Sequence, residues 1–291
     1  MSRKHPIIAV TGSSGAGSSV VIDAFRHILQ REEAKFVIVD GNGFHRFDRA
    51  GFAAAVKGAT RMGKAMSHFA PEANLLDRLD GLLAEYSMQG TGMHRRYLHN
   101  ADEAAEFGQP PGTFTPWEPI AEETDLLYYQ GLHGCFVSEA IDIAKYMDLK
   151  IGVVPSVNLE WIQKLHRDIG ERGYSREAVT ETILRRMPDY VRYITPQFSR
   201  TDINFQRVPT VDTSDPFVAR DVPTLNESVV VIRVANPRKC QIDFPYLLRN
   251  IHNSFMSRRN NIVIPGGELG VAMELILAPL VHELLARRTA I

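Results

Sequence analysis

The chain has 291 residues, 44% of them hydrophobic, enough for a sizeable core in one large α/β domain or two small ones. Its formal net charge of −1 gives no global field to draw nucleic acid or an anionic membrane, so any anion site must be local. No apolar run reaches the ~18 residues of a membrane span, and the N-terminal MSRKHPIIAV turns straight into a strand without a signal-peptide core. With no linker in between, the expectation is a single cytoplasmic domain over residues 1–291. Cys135 and Cys240 match no metal or redox spacing and are assigned no chemistry.

The first informative stretch is IIAVTGSSGAGSSVVIDAF at 7–25. Ile7 to Val10 form an apolar run of β-formers, Gly12 to Gly17 a loop of glycine and serine, and Val20 to Leu29 a segment with helical spacing. Strand, glycine loop and helix is the context of a phosphate-binding loop, whose backbone N–H groups and following helix N-terminus hold phosphate oxygens. Against the pattern G-x-x-x-x-G-K-[ST], Gly12 and Gly17 are correctly spaced and Ser19 supplies the hydroxyl for Mg²⁺, but Ser18 stands where Lys is expected.

Lys35 to Asp40 is a second buried strand ending in GNGFHRFDR, and open α/β sheets place ligand groups at the carboxyl ends of their strands. Helical patterning follows over 50–90, and 91–120 holds Gly, Pro and aromatics without a period, as a long surface excursion would. Asp125 to Gly131 and Leu149 to Val154 are predicted as the third and fourth strands, the latter stopped by Pro155. Helices are predicted over Asn158 to Asp168, with Asn158 as N-cap, and over Glu177 to Met187. Val229 to Val234 and Asn261 to Pro265 are later strands, and Leu269 to Ala286 a closing amphipathic helix. The alternation predicts an α/β fold with a mostly parallel, mixed sheet flanked by helices.

Basic and aromatic residues cluster where a phosphoryl-transfer site would need them. His45, Arg46 and Arg49 follow the second strand, Tyr97 and His99 sit in the excursion, Lys164, Arg167, Asp168 and Arg172 follow the fourth strand, and Arg185 and Arg186 close the next helix. Singly, each cation belongs on a solvated helix face. Lys164, Arg167 and Asp168, however, lie at i, i+3 and i+4 and share one face, and a sugar phosphate and a nucleotide need cations of this kind.

On these residues the sequence resembles phosphoribulokinases of the bacterial, proteobacterial type. The resemblance runs along essentially the whole chain, in VTGSSGAGSS, FHRFDR, SHFAPEAN, GLHG, LKIGVVP, NLEWIQKLHRD, RGY, ILRRM, PQFSRTDINFQRVP, VDTSDPF and IDFPYL. It implies a P-loop fold like that of nucleoside-monophosphate kinases, with transfer of the ATP γ-phosphoryl group to ribulose 5-phosphate in the Calvin cycle. This branch has a phosphate loop without Lys, which accommodates Ser18. ATP and Mg²⁺ are then expected at Gly12, Ser13, Ser14, Gly15, Ala16, Gly17, Ser18, Ser19 and Val20, with Ser19 serving the metal. Sugar-phosphate contacts are expected from His45, Arg49, Tyr97, His99, Lys164, Arg172 and Arg186, and a lid bearing Arg167 and Asp168. The resemblance also implies a homo-oligomer responsive to NADH and AMP, with Arg31, Arg220, Arg233 and Arg258 as the effector site.

The chain departs from the family at two positions. The family's G-D-A-F-H-R-F pattern has its catalytic base at the Asp, and its Y-E-G-L-H-G pattern has the acid that serves the metal at the Glu; here Asn42 and Gln130 stand there. Each change swaps a carboxylate for an amide of similar shape, so binding should survive while proton acceptance is lost. Asp40, Asp48 and Asp168 are the nearby surrogates, and strand geometry would set Asp40 about 6.6 Å back from position 42 at ~3.3 Å per residue. The expectation is a kinase scaffold of impaired or absent turnover. The rivals are an active kinase using a surrogate carboxylate and a non-catalytic effector-binding subunit of a kinase oligomer.

Overall fold

The computed structural model describes residues 4–12, 18–121, 123–170 and 173–289. Ser13 to Gly17 and Arg172, both assigned to the site above, lie outside the described residues, as do the side chains of Ser18, Ser19 and Val20. From β1 (Ile7–Thr11) the chain passes through α1 (Ser18–Arg31) to β2 (Phe36–Asp40), then a 3-10 turn at Gly41–Phe44, α2 (Arg49–Arg61) and α3 (Leu76–Gln89). β3 (Met93–His94), α4 (Ala101–Glu106) and β4 (Glu118–Pro119) precede β5 (Leu126–Gly131) and β6 (Leu149–Pro155). There follow α5 (Val157–Gly170), α6 (Arg176–Asp189), β7 (Ile203–Pro209) and β8 (Ser228–Val234). The described chain closes with α7 (Phe244–Asn250), β9 (Phe255–Arg258), β10 (Asn261–Pro265) and α8 (Leu269–Thr289).

The main sheet has the order β2-β5-β1-β6-β7-β8-β10-β9. β2, β5, β1, β6 and β7 run parallel, and β8, β10 and β9 extend the sheet antiparallel, as the mixed pattern predicted. Successive side chains of a strand point to opposite faces, so the β1 run divides between two cores. Ile8 and Val10 join Phe25 and Ile28 of α1 and Met273, Ile276 and Leu277 of α8 on one face. Ile7 and Ala9 join Leu79, Leu83 and Tyr86 of α3 on the other. Burial of each such leucine contributes about 1.5–3 kcal/mol, and together they fix the strand ends that carry the site.

Four expectations are corrected. α5 starts at Val157, so Asn158 sits inside its first turn and donates through Nδ2 to the Thr213 carbonyl at 2.8 Å instead of capping the helix. The 91–120 region is more than a surface excursion: Leu98, Ala104 and Ile120 are buried, and Trp117 meets Phe44 edge-on at 5.5 Å. β7, α7 and β9 carry segments that the patterning missed. Gly266–Arg288 is long and apolar enough to cross a membrane by length and composition alone, yet Ala272, Met273, Ile276, Leu277 and Val281 of this segment bury a helical stripe against the sheet.

Candidate active site

The parallel strands aim their carboxyl ends at one edge of the sheet. Asp40 pairs in register with Gln130, Thr11 with Gly131, and Thr11 again with Gly152, so β2, β5, β1 and β6 end together. Gly12 continues β1 there: its N–H donates to the Gly131 carbonyl at 3.3 Å, and a Cβ on it would stand 2.6 Å from the Val153 oxygen, so no larger residue fits. Above these ends lies a cavity of ≈ 200 Å³ lined by Gly12, Asp40, Asn42, His45, His68, Gln130, Lys164, Arg167 and Arg186 among others. A second cavity of ≈ 400 Å³ shares Asn42, His45, His68, Lys164, Arg167 and Arg186 and adds Tyr97, His99, Asp168 and Arg185.

The wall formed by the 3-10 turn is held through backbone. Asp40 caps the turn, its Oδ1 accepting from the Asn42 N–H at 2.8 Å, and Asn42 Nδ2 lies 3.4 Å from Asp40 Oδ2. A carboxylate only accepts, so the Asn42 amide nitrogen faces it and offers its other hydrogen to His99 Nε2 at 3.3 Å. The expected 6.6 Å setback of Asp40 is therefore corrected: the chain leaves the strand at Asp40 and curls, which brings the carboxylate against Asn42. Asp40 lines this cavity and a larger one of ≈ 900 Å³ beside β2, and the surrounding protein raises its pKa, a shift the Asn42 N–H holds back.

Arg95 pins the same turn from the 91–121 segment. Its Nε donates to the Gly43 carbonyl at 2.7 Å and its Nη2 to the His45 carbonyl at 2.8 Å, while the guanidinium stacks over Phe114 at 3.7 Å and Trp117 at 4.7 Å. Gly43 is obligatory, because a Cβ there would lie 2.1 Å from the Arg95 oxygen. His45 is fixed by Asn74, whose amide nitrogen donates to the His68 and Ala70 carbonyls at 2.9 and 2.8 Å. The Asn74 oxygen thus accepts from His45 Nδ1 at 2.9 Å, which leaves His45 Nε2 as a lone-pair acceptor. Burial keeps this histidine neutral, its pKa lowered to about 4.

The opposite wall is built from helix side chains. Lys164 and Arg167 of α5 both pair with the buried Asp168, Arg167 Nε at 3.2 Å, so the i, i+3, i+4 face predicted from the sequence is formed. Burial and the neighbouring Arg186 cation lower the pKa of Lys164. Arg185 and Arg186 lie in the last turns of α6, and the buried Arg185 Nε has no hydrogen-bond partner among the described residues.

The remaining assignments separate by place. Tyr97 and His99 border the second cavity, Tyr97 edge-on to His45 at 6.2 Å. Arg49, at the start of α2, gives its Nη2 to the His99 carbonyl at 2.8 Å and lines neither of these cavities, and Arg46 is bonded to the Glu72 and Asn74 carbonyls. Asp48 caps α2 through Gly51 N–H at 2.6 Å. Arg31 pairs with Glu274 of α8, Arg220 is exposed between β7 and β8, and Arg233 and Arg258 share a register partner in Asn261. His68, Asn74 and Arg95 were missed as site residues; the only sequence signal for the first two was their place in SHFAPEAN.

Residues 7–214 match the model of the phosphoribulokinase / uridine kinase family. The chain is 57% identical to the chromosomal phosphoribulokinase of Cupriavidus necator over 289 residues, covering 99% of this chain and 98% of that one. It is 56% identical to the phosphoribulokinase of Rhizobium meliloti over 288 residues, 99% of both. The solved phosphoribulokinase from Rhodobacter spheroides superposes with a TM-score of 0.91 at 52% identity, covering 99% of this chain and 100% of that one.

Proposed function

The chain belongs to the phosphoribulokinase and uridine kinase family, and from that premise we propose that it is a phosphoribulokinase of strongly reduced turnover. The reaction moves the γ-phosphoryl group of ATP to a hydroxyl of ribulose 5-phosphate. The hydroxyl oxygen forms the new bond to phosphorus, the bond to the ADP oxygen breaks, and the hydroxyl proton needs an acceptor in reach. The observation that carries the reading is the cavity between the Asp40–His45 turn and the Lys164, Arg167 and Arg186 cations, set at the carboxyl ends of strands beside Gly12. The nucleotide belongs on the Gly12 to Val20 loop with Arg167, and the sugar phosphate against His45, Tyr97, His99, Lys164, Arg172 and Arg186, with Arg49 acting through the His99 loop.

Among the described residues no group of three His, Cys, Asp or Glu side chains is gathered to hold a metal. A Mg²⁺ carried on nucleotide phosphates needs only one or two protein oxygens, and the Gln130 amide, which lines the cavity, fits that requirement with a neutral donor in place of a charged one. Bound there, the ion would neutralise phosphate charge. Asn42 cannot accept a proton, so the barrier rises by roughly 3–5 kcal/mol, the worth of a general base.

A second reading, turnover through a surrogate carboxylate, is favoured by one observation. Asp168 is committed to Lys164 and Arg167 and Asp48 to a helix cap, but Asp40 touches Asn42 and borders the cavity. A coupled ADP-release assay with ribulose 5-phosphate tests both readings. Slow turnover that Asp40→Asn abolishes supports the surrogate; turnover at the rate of an unimpaired kinase overturns the reduced-activity reading. Effector binding of NADH or AMP at Arg31, Arg220, Arg233 and Arg258, and a homo-oligomer, extend the proposal. Its support is the common register partner of Arg233 and Arg258, and a non-catalytic effector subunit is the outcome if no turnover exists.

A further inference from the structure

His68 is unlike the other polar residues at the cavity. Its ring lies in a stack, 3.7 Å from the Phe52 centroid at 17° and 4.2 Å from the His45 centroid at 25°. It borders both the ≈ 200 Å³ and the ≈ 400 Å³ cavity. Its Nδ1 is buried without a hydrogen-bond partner among the described residues. A buried N–H left unpaired costs about 1–3 kcal/mol, so the proton of the neutral ring belongs on Nε2, the nitrogen that remains to meet a ligand. His45 has the opposite arrangement, its Nδ1 proton spent on Asn74 and its Nε2 an acceptor. The two stacked rings, both lining the cavity, therefore carry one donor and one acceptor. Neighbouring hydroxyls, each able to donate and to accept, are the chemical group that such a pair recognises.

We propose that His68 is a specificity-determining residue that donates from Nε2 to one hydroxyl of a phosphorylated polyol sugar while His45 accepts from the next. This rests on the sugar-phosphate kinase reading given above and names the part of the substrate that the stack reads. Lys164 and Arg186, which line the same cavity, are left for the sugar phosphate. Discrimination then follows from geometry: an epimer with the same charge and atoms puts one hydroxyl out of reach, and a site with buried polar groups penalises the mismatch. Burial, reinforced by the His45 ring and the Arg186 cation, keeps the pKa of His68 far down, at about 2, so the ring stays a neutral donor across the working pH range.

Titration calorimetry on the full chain, with ribulose 5-phosphate, its epimer xylulose 5-phosphate, inorganic phosphate and ATP as separate ligands, tests the assignment in three proteins. The unsubstituted chain should prefer ribulose 5-phosphate over the epimer by at least tenfold. His68→Phe keeps the stack and removes both ring nitrogens. It should lose tenfold or more in affinity for ribulose 5-phosphate, narrow the epimer ratio to under threefold, and leave phosphate and ATP affinities unchanged. His68→Gln, which restores a donor, should recover part of the ratio. Because Nδ1 has no partner to lose, His68→Phe should melt no lower than the unsubstituted chain, so a binding loss cannot be ascribed to unfolding. Unchanged affinity and epimer ratio in His68→Phe would overturn the assignment and leave the kinase reading standing. Absence of ribulose 5-phosphate binding by the unsubstituted chain at millimolar concentration would overturn both.

Discussion

The two walls of the cavity are built on different principles. The turn wall, Asp40 to His45, is fixed by hydrogen bonds to its own backbone: Arg95 to the Gly43 and His45 carbonyls, Asp40 to the Asn42 N–H, and the Arg95 oxygen pressed where a Gly43 Cβ would be. The helix wall presents long charged side chains, Lys164, Arg167 and Arg186, balanced by Asp168. A backbone-fixed turn holds a reacting group to a fraction of an ångström, whereas a flexible lysine or arginine follows a phosphate through its motion. On the proposed reading the reacting hydroxyl meets the turn and the phosphates meet the helix cations.

The largest effect should come from restoring the carboxylates. Asn42→Asp with Gln130→Glu should raise kcat about 10²–10⁴-fold, the usual worth of a general base, while the KM for ribulose 5-phosphate changes little. A coupled ADP-release assay showing less than a tenfold gain would remove the turn's claim to the chemistry. Arg95→Met comes next. It leaves the Gly43 and His45 carbonyls without this donor, each costing about 1–3 kcal/mol, and should lower the urea midpoint and kcat together. Arg95→Lys should recover little, since one ammonium cannot fork to two carbonyls while lying flat on Phe114 and Trp117.

Much of this fold was legible because its strands are rich in apolar β-formers: Ile7 to Val10 is buried on both faces, and Leu149 to Val154 and Val229 to Val234 carry a single charged residue each, Lys150 and Arg233. β7 was not, since Asn204, Gln206 and Arg207 break its apolar pattern. Asn204 is tolerated in the interior because Thr201 and the Phe198 carbonyl bond its amide, a fact that no local window holds. The cations on α5 could be read from helical spacing. The position of Asp40 could not, because strand spacing was extended past the point where the strand ends. His68 escaped for a similar reason: its role arises from stacking on His45 and Phe52, residues distant in the chain. Arg49 has a contact that no local window holds either, its Nη2 donating to the His99 carbonyl.

That contrast between Arg49 and Lys164 sets a third expectation. Lys164→Ala should weaken ribulose 5-phosphate binding by about 1.5–3 kcal/mol, the worth of a charge-assisted bond, with ATP affinity nearly unchanged; Asp168 keeps Arg167 as a partner. Arg49→Ala, acting only through the loop that carries His99, should cost under fivefold. Calorimetry giving equal losses for the two variants would dissolve the distinction between a cation in the cavity and one beside it.

The smallest effect concerns the neutral histidines behind the turn wall. Burial lowers His45 and His133 to about 4 and His68 to about 2, against an unperturbed value near 6.5. The groups facing them, Arg95, Arg186, Lys164 and His99, are cationic or basic and push the same way, while the Asn74 oxygen and the Phe69 carbonyl oppose it. The unfolded chain therefore binds protons that the folded one refuses, so stability is full above pH 6.5 and falls as the pH drops towards the folded values. By linkage each histidine contributes a loss of about 1 kcal/mol between pH 7.5 and 5.5. The raised carboxyls of Asp40 and Asp148 act in the opposite sense, so the difference between variants isolates the histidines better than the raw slope. His68→Phe should flatten the fall of the urea midpoint over that window by about a third of the histidine contribution. A curve identical to that of the unsubstituted chain would mean that His68 is already paired with water or charged in the folded state, and that the turn wall is wetter than its packing implies.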